Sequence, residues 1–272
     1  MSMQLPSSLT VPATPETENE DAVRVSAGLA VVVDGAGVAA RFRAGCVHSP
    51  AWYAHELADS MFEHYANRGM GQRESLSRAI SHVRTLHGPA CDLADGSPAA
   101  TIAAFRVNGG NLEYLVQGDA AVYLRHAEGG EVEEVTDRLI DRALAKVAVY
   151  RQGMAASGLP EDTVEEMGWF YLEQLRNDPS GFWTPQDDPT VADHAVVGIA
   201  GLSEVDAVIA CSEGITRAIG ELGFHDAQSL VSAAVGAPLS ELVDALRTAE
   251  AAATEGPGPR QMDASIAVLK WS

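Results

Sequence analysis

Acidic residues recur at the ends of several strands that the sequence predicts. They occupy four such places: Glu20-Asp21, Asp34-Gly35, Glu213-Gly214 and Asp263. If these strand ends meet at one rim of the sheets, the carboxylates form a cage of oxygen ligands. Hard divalent cations such as Mg²⁺ and Mn²⁺ prefer oxygen, and two of them about 4 Å apart can deprotonate a water for in-line attack on phosphate. A single Asp-Gly after a strand is ordinary turn chemistry, so only the set indicates metal chemistry.

The elements around the first two places are well marked. Residues 23–25 and 29–33 are β-branched runs that predict a hairpin, ended by a glycine-rich turn at 34–37. Ser49-Pro50 is typical of a helix start, and apolar residues at helical spacing predict a helix over 51–66. A second helix is expected over 73–86.

Later segments complete an α+β domain, with sheet packed on sheet and helices outside. Three consecutive strands at 99–107, 112–117 and 121–125 have tight connections and predict a meander. A long helical segment follows over 138–175, interrupted at 157–160 and ended by a turn cluster at 177–181. The remaining expectations are strands at 195–199, 207–211 and 265–271, helices at 216–222, 227–235 and 239–253, and a Gly/Pro linker at 256–259.

Composition limits the partners. The 272 residues include 38 Asp plus Glu and 18 Lys plus Arg, a formal charge of −20 at pH 7. This charge repels nucleic acid and anionic membrane surfaces, so neither is expected as a partner. No apolar stretch approaches the roughly 18–20 residues that span a bilayer, and no signal peptide is evident, which predicts a cytoplasmic protein. Residues 1–18 are rich in Pro, Ser and Thr and are expected to form a disordered tail before a domain over 19–272.

Cysteine and histidine offer no recognisable motif. Cys46, Cys91 and Cys211 are odd in number, widely spaced and outside any CxxC or Cys/His pairing. We therefore expect neither a disulfide framework nor a structural zinc site. The eight histidines, His48 and His87 among them, show no paired-ligand spacing and are interpreted as surface or boundary residues.

Six short segments together resemble a known family. In chain order they are Asn19-Glu20-Asp21, residues 31–37 (VVVDGAG), residues 96–100 (GSPAA), residues 118–124 (GDAAVYL), residues 209–216 (IACSEGIT) and residues 263–268 (DASIAV). Their order and spacing resemble the metal-dependent type 2C serine/threonine protein phosphatases. The resemblance implies an αββα sandwich of two antiparallel sheets and a binuclear Mn²⁺ or Mg²⁺ centre. It further implies hydrolysis of phosphoserine and phosphothreonine in phosphoprotein substrates, with a serine/threonine kinase or its targets as partners.

The same resemblance assigns roles by position. Asp34 would bridge the two metal ions, and the carbonyl of Gly35 would hold one of them. Glu20 or Asp21 would serve that ion directly or through water. Glu213 and Asp263 would complete the shell of the other ion, Asp119 would hold a weaker third ion, and residues 138–183 would form the variable flap that helps to choose substrates. Asp34, Glu213 and Asp263 are the predicted catalytic set.

Three departures from the family pattern affect the site. Glu213 stands where the family usually has aspartate, so its carboxylate reaches one methylene further. Residues 15–18 occupy the stretch that carries the family's phosphate-binding arginine, and Arg24, the first arginine, lies on the wrong side of the acidic pair. Arg217 replaces a second aspartate and would instead offer a cation to the substrate.

Two alternatives remain open from the sequence. Cys211, Gly214 and Arg217 fit the Cys-x-x-Gly-x-x-Arg loop of cysteine-dependent phosphatases, in which a thiolate attacks phosphorus. Against this alternative, Glu213 would place a negative charge inside that loop. The other alternative is a pseudophosphatase that keeps the sandwich and binds a phosphoprotein as a regulator without turnover. The departures at Glu213 and at residues 15–18 support it.

Overall fold

Two antiparallel five-stranded sheets lie at the centre of the computed structural model, which describes residues 5–36, 39–253 and 261–271. The first sheet has the order β1 (Ser7–Val11), β10 (Ala264–Lys270), β9 (Val205–Cys211), β6 (Ala121–His126) and β7 (Val132–Thr136). The second has the order β2 (Asp21–Ser26), β3 (Leu29–Ala36), β4 (Ala99–Asn108), β5 (Asn111–Gln117) and β8 (Val196–Gly201).

Helices cover the outer face of each sheet. The helices of the described residues are α1 (Pro50–Ala66), α2 (Gln72–Leu86), α3 (Leu139–Ala156), α4 (Glu161–Leu175), the short α5 (Glu213–Thr216), α6 (Ala227–Gly236) and α7 (Leu239–Ala252), of which α3 and α4 pack on each other. Helices α1 and α2 pack on the second sheet, and α6 and α7 pack on the first. This arrangement is the four-layer αββα sandwich that the sequence predicts.

The alternation of side chains along β3 shows why the layers form. Val31 and Val33 pack under α1 against Tyr53, whereas Ala30 and Val32 face the opposite sheet. Because successive side chains of a strand point to opposite faces, an uninterrupted apolar run is buried on both sides. The apolar part of β3, which ends at Asp34, is therefore held by α1 on one face and by the opposite sheet on the other.

The start of α1 is confirmed in detail. The Ser49 hydroxyl accepts a hydrogen bond from the backbone N–H of Trp52 at 3.1 Å, and Pro50 occupies the first helical position. The cap satisfies one of the backbone donors that a helix start leaves unpaired. It also fixes where the loop from β3 enters the helix.

The expected tail over residues 1–18 is wrong from residue 7 onward. Strand β1 pairs antiparallel with β10, so that Ser8 lies opposite Ala267. An edge strand is held by backbone hydrogen bonds along one side and needs little apolar pattern of its own. Here Leu9 and Val11 alone pack on the core beneath. Strand β1 was therefore not predicted, because its segment is rich in Ser, Thr and Pro.

The expected meander is also wrong at its third strand. Strands β4 and β5 pair, but β6 lies in the other sheet, between β7 and β9. The chain crosses between sheets at Gly118, whose φ is +83° and where an added Cβ would lie 2.5 Å from the Thr101 side chain. Glycine is thus required by conformation and by space. Strand β7 is absent from the sequence expectations.

Other boundaries differ less. The helix expected over 216–222 is instead α5 followed by turns, and the remaining helices and strands lie within a few residues of their predicted positions. The linker predicted at 256–259 lies outside the described residues. No helix in the described part of the chain is long and apolar enough to cross a membrane.

Candidate metal centre and active site

The hairpin of β2 and β3 brings two of the predicted carboxylates side by side. Asp21 lies directly opposite Asp34, and Asp34 in turn lies opposite Thr101 of β4. At the next residue, Gly35, the backbone N–H donates to the carbonyl of Glu20 at 3.0 Å. A Cβ at Gly35 would lie 2.9 Å from that same carbonyl oxygen, so glycine permits the close approach of the two chains.

Asp263 reaches the same place from the other sheet. Its two carboxylate oxygens accept backbone N–H groups of Ala13 and Glu20, each at 2.6 Å. The side chain is thereby oriented while each oxygen retains a further lone pair. This carboxylate thus joins the segment after β1, the start of β2 and the start of β10.

Glu213 follows β9 and begins α5. The next residue, Gly214, packs so closely that an added Cβ would lie 1.9 Å from the carbonyl oxygen of Asp263. The Glu-Gly pair is therefore held against Asp263 by backbone contact. Asp119 enters from the loop between β5 and β6, the crossing between sheets.

These groups line one cavity of about 480 Å³. Seven carboxyl side chains contribute to its wall: Glu18, Glu20, Asp34, Asp119, Glu173, Glu213 and Asp263. Among the described residues the wall includes one basic side chain, Arg176. Of the predicted ligands, Asp21 alone is absent from the wall.

Asp21 lies beneath the cavity. It is 1% exposed, one carboxylate oxygen accepts the Ser212 hydroxyl at 2.8 Å, and the other has no hydrogen-bond partner in the described structure. Of the adjacent acidic pair, Glu20 is therefore the residue that faces the cavity. Asp21 acts on the site through its neighbour Asp34.

The electrostatics of the cluster favour a cation. Burial, followed by repulsion from Asp21, Asp119 and Glu213, raises the pKa of Asp34 well above its usual range. Burial is also the main cause that raises the pKa of Glu213 to about 8, of Glu20 to about 7 and of Asp21 to about 6. Each shift means that the charged form is penalised in the protein alone. A divalent cation among these oxygens would remove that penalty, so the donor set fits Mn²⁺ or Mg²⁺.

The helical pair α3 and α4 forms one side of the cavity. Their packing core includes Ala143, Val147 and Leu172. Leu144 and Trp169, at 47% and 38% exposure, turn apolar surface toward the carboxylates. The segment expected to be a flap therefore borders the site.

Two arginines considered from the sequence are unsuited to bind substrate. Arg24 pairs with Asp59, at 2.5 Å. Arg217 is buried and pairs with Glu221 at 2.7 Å and with Glu250 at 3.2 Å. The expectation that Arg217 offers its charge to a substrate is therefore wrong, because its guanidinium is buried between two carboxylates and does not line the cavity.

Arg176 is the cavity arginine that the sequence did not single out. Its guanidinium forms two hydrogen bonds to Glu173, both at 2.9 Å, and lies 3.4 Å from the Thr184 hydroxyl. It comes from the end of α4, within the flap. In the sequence Arg176 is only the residue after a helix, and nothing nearby indicates that it lines the cavity. It does so because the flap folds back over the carboxylates.

The structure does not support the thiolate alternative. Cys211 is 0% exposed and packs in the core under α6 and α7, and burial raises its thiol pKa. A phosphate loop needs an accessible thiolate with a free cation nearby. Cys211 lacks the first, and Arg217 is committed to carboxylates.

A different pair of cysteines is brought together with two histidines. Cys46, His48, His87 and Cys91 place one ligand atom each within 4.8 Å of one another. The interpretation of the histidines as surface or boundary residues is wrong for His87, which is 4% exposed and belongs to this cluster. The residues come from two separate loops, so their spacing along the sequence matches no single motif.

Comparison with known proteins agrees with the geometry at the level of fold. No protein-family model and no curated protein matches the chain. Among solved structures, the serine/threonine phosphatase Stp1 from Staphylococcus aureus is 11% identical, with a TM-score of 0.58 over 100% of this chain and 96% of that chain. The catalytic domain of the serine/threonine protein phosphatase PstP, in complex with two manganese ions, is 12% identical, with a TM-score of 0.56 over 98% and 99%.

A third similar structure is the PPM Ser-Thr phosphatase MsPP from Mycobacterium smegmatis, in complex with cacodylate. It is 16% identical, with a TM-score of 0.54 over 98% of both chains. The chain thus has the fold of bacterial serine/threonine phosphatases along almost its whole length. The fold expected from the sequence resemblance is confirmed.

Proposed function

We propose that the chain is a metal-dependent phosphatase that hydrolyses phosphoserine and phosphothreonine in proteins. One observation carries the proposal: seven carboxyl side chains line a single cavity at the meeting point of the two sheets. The solved phosphatases of this fold support the same conclusion, and the PstP domain binds two manganese ions. Asp34, Gly35, Glu20, Glu213 and Asp263 would hold two Mn²⁺ or Mg²⁺ ions, with Asp119 available to a weaker third.

Divalent ions in such a site activate water for in-line attack on phosphorus and neutralise the phosphoryl oxygens. The protein supplies the geometry. Asp34 is fixed at the centre by pairing of its strand on both sides, and Asp263 is fixed by two backbone N–H groups. Preorganised ligands of this kind hold their positions without rearrangement during the reaction.

The flap is proposed to contact the substrate peptide. Leu144 and Trp169 present apolar surface beside the carboxylates, suited to side chains that flank the phosphorylated residue. Arg176, which lines the same cavity, is proposed to orient the phosphoryl oxygens by exchanging its contact with Glu173. We further propose a cytoplasmic phosphoprotein as substrate and a serine/threonine kinase as its functional counterpart.

A regulator that binds phosphoproteins without turnover is the second candidate. Glu213 is one methylene longer than the aspartate usual in the family, and the cavity arginine is already paired with Glu173. Either feature could lower turnover while leaving the cavity intact. This candidate predicts binding of a phosphothreonine peptide without its hydrolysis.

The experiment that separates the candidates measures hydrolysis of p-nitrophenyl phosphate and of a phosphothreonine peptide with millimolar-scale Mn²⁺, with and without EDTA. Wild type is compared with Asp34→Asn and with Glu241→Gln, which removes an exposed carboxylate from α7. Activity that requires Mn²⁺ and is lost only in Asp34→Asn supports the phosphatase. Peptide binding without hydrolysis under any metal condition supports the regulator.

A further inference from the structure

Cysteine and histidine side chains form a second cluster, outside the carboxylate cavity. Cys46 and His48 lie in the loop between β3 and α1, His87 directly follows α2, and Cys91 lies four residues further on. None of the four lines the carboxylate cavity. The loops that carry them are 41 residues apart in sequence, from Cys46 to His87.

Four distances within the cluster are short, and the four ligand atoms as a set lie within 4.8 Å of one another. Cys46 Sγ lies 3.4 Å from His48 Nδ1, 3.3 Å from His87 Nδ1 and 3.5 Å from Cys91 Sγ. Cys91 Sγ lies 3.4 Å from His48 Nδ1. Tetrahedral zinc, with bonds of about 2.3 Å to sulfur and about 2.0–2.1 Å to nitrogen, requires ligand atoms about 3.3–3.8 Å apart. A disulfide would instead bring the sulfurs to about 2.05 Å.

We propose that Cys46, His48, His87 and Cys91 bind one zinc ion as a closed structural site. Four protein ligands leave no open position for substrate or water, which is the arrangement of structural rather than catalytic zinc. Two thiolates and two imidazoles also select zinc over the harder Mn²⁺ and Mg²⁺. The chain would then hold two kinds of metal in separate places.

An aromatic ring and one backbone N–H surround the cluster. The His48 ring stacks on Trp52, with centroids 3.8 Å apart and planes 21° apart, and Trp52 also meets the His87 ring edge to face at 5.0 Å. These rings cover one side of the cluster and fix the imidazoles. The backbone N–H of His48 points to Cys46 Sγ at 3.4 Å, a contact that would stabilise a thiolate.

The site would fasten the loop that follows Asp34-Gly35. Gly45 already exchanges backbone hydrogen bonds with the loop of Cys91: its N–H donates to the Asp95 carbonyl at 2.9 Å, and its carbonyl accepts from Asp92 N–H at 2.6 Å. The loop between β3 and α1 also reaches the flap, where Arg41 pairs with Glu166 and Phe42 contacts Phe170. Zinc would thus stabilise the loop that contacts the flap beside the active site.

The test measures metal content of the full chain, purified under reducing conditions from zinc-supplemented medium and dialysed against metal-free buffer. We expect one zinc per chain by mass spectrometry in wild type and Asp34→Asn, and at least about a tenfold loss in Cys46→Ser and Cys91→Ser. His82→Ala is the matched control, since it removes an exposed histidine from α2, the helix that His87 directly follows. It should retain zinc.

A second measurement does not depend on the folding of variants. Wild type reconstituted with Co²⁺ should show tetrahedral d–d bands and thiolate-to-cobalt charge transfer, with displacement of the cobalt by zinc. Folded, reduced wild type without zinc and without the charge-transfer band would overturn the proposal. So would a Cys46–Cys91 disulfide in the freshly reduced chain, or full zinc retention in both cysteine variants.

Discussion

The carboxylate cavity and the Cys/His cluster gather metal-binding side chains in opposite ways. The cavity collects acidic residues from both sheets, at the rim where the strands end. The cluster collects its residues from two loops beside the helices of one face. The first combines an excess of negative charge with an apolar side formed by the flap, which suits exchangeable ions that act on a substrate. The second offers two thiols and two imidazoles beside the Trp52 ring, which suits an ion that stays in place.

The comparison is tested most strongly by neutralising the central carboxylate. Asp34→Asn removes a charge from the middle of the cavity while leaving the β2–β3 pairing intact. We expect phosphatase activity to fall at least about 100-fold, since losing even indirect partners of a metal ligand costs 10–100-fold. Zinc content should not change. Initial rates with saturating Mn²⁺ measure the first effect, and Glu241→Gln controls for charge alone; near-normal activity in Asp34→Asn would remove this residue from the centre.

The next effect concerns the Cys/His cluster. Cys91→Ser should lower the melting temperature by on the order of 5 °C, equivalent to roughly 2 kcal/mol for a chain of this size. The reason is that an ion bound only by the folded state stabilises it, and the serine variant loses that ion. Thermal unfolding of reduced protein measures the change beside His82→Ala. Equal melting temperatures of Cys91→Ser and wild type would show that the cluster contributes nothing to stability.

The two regions also differ in how far the sequence predicts them. The carboxylates follow strands whose β-branched runs are unmistakable, and a glycine after Asp34 and after Glu213 marks the close approach of another chain. At the cavity, the residues that form the site are therefore next to the strands and glycines that the sequence makes recognisable. Cys46 and Cys91 lie in irregular loops and share no motif, so only the folded chain brings them together.

Features that depend on pairing between distant segments were also not predictable from the sequence. Strand β6 has the same apolar character as β5, so the sequence does not indicate that it belongs to the other sheet. Strand β1 is an edge strand whose identity comes from its partner β10 rather than from its own composition. Arg176 reaches the cavity only because α4 folds back along α3. Local pattern predicted the hairpin of β2 and β3 and the capped helix α1, where each segment specifies its own structure.

The carboxylate cavity should also make the stability of the metal-free protein depend on pH. Glu20, Asp21 and Glu213 have pKa values of about 7, 6 and 8, raised mainly by burial, in the metal-free protein. The unfolded values are about 4, so the folded state binds more protons between pH about 4 and 8, and its stability falls as pH rises through that window. Metal-free protein should therefore melt at a lower temperature at pH 8 than at pH 5.

Mn²⁺ should largely abolish this pH dependence, because the ions compensate the charges that protons otherwise remove. Differential scanning calorimetry of EDTA-treated and Mn²⁺-loaded protein provides the comparison. In Glu213→Gln one titrating group is gone, so the slope in the metal-free state should become smaller. A metal-free protein that is more stable at pH 8 than at pH 5 would contradict the proposed electrostatics of the cavity.

The smallest effect lies where the two regions meet. Arg41 and Glu166 form a 2.8 Å ion pair between the loop of the Cys/His cluster and the flap, and their side chains are 45% and 57% exposed. Exposed pairs contribute about 0.2–1 kcal/mol, so a double-mutant cycle of Arg41→Ala and Glu166→Ala should show a coupling in that range for unfolding. If the loop positions the flap, both variants should raise KM for a phosphopeptide while KM for p-nitrophenyl phosphate stays constant. The small substrate has no flanking peptide to meet Leu144 and Trp169, so equal changes for both substrates would mean that the ion pair acts on the phosphoryl group itself, through Arg176 or the carboxylates.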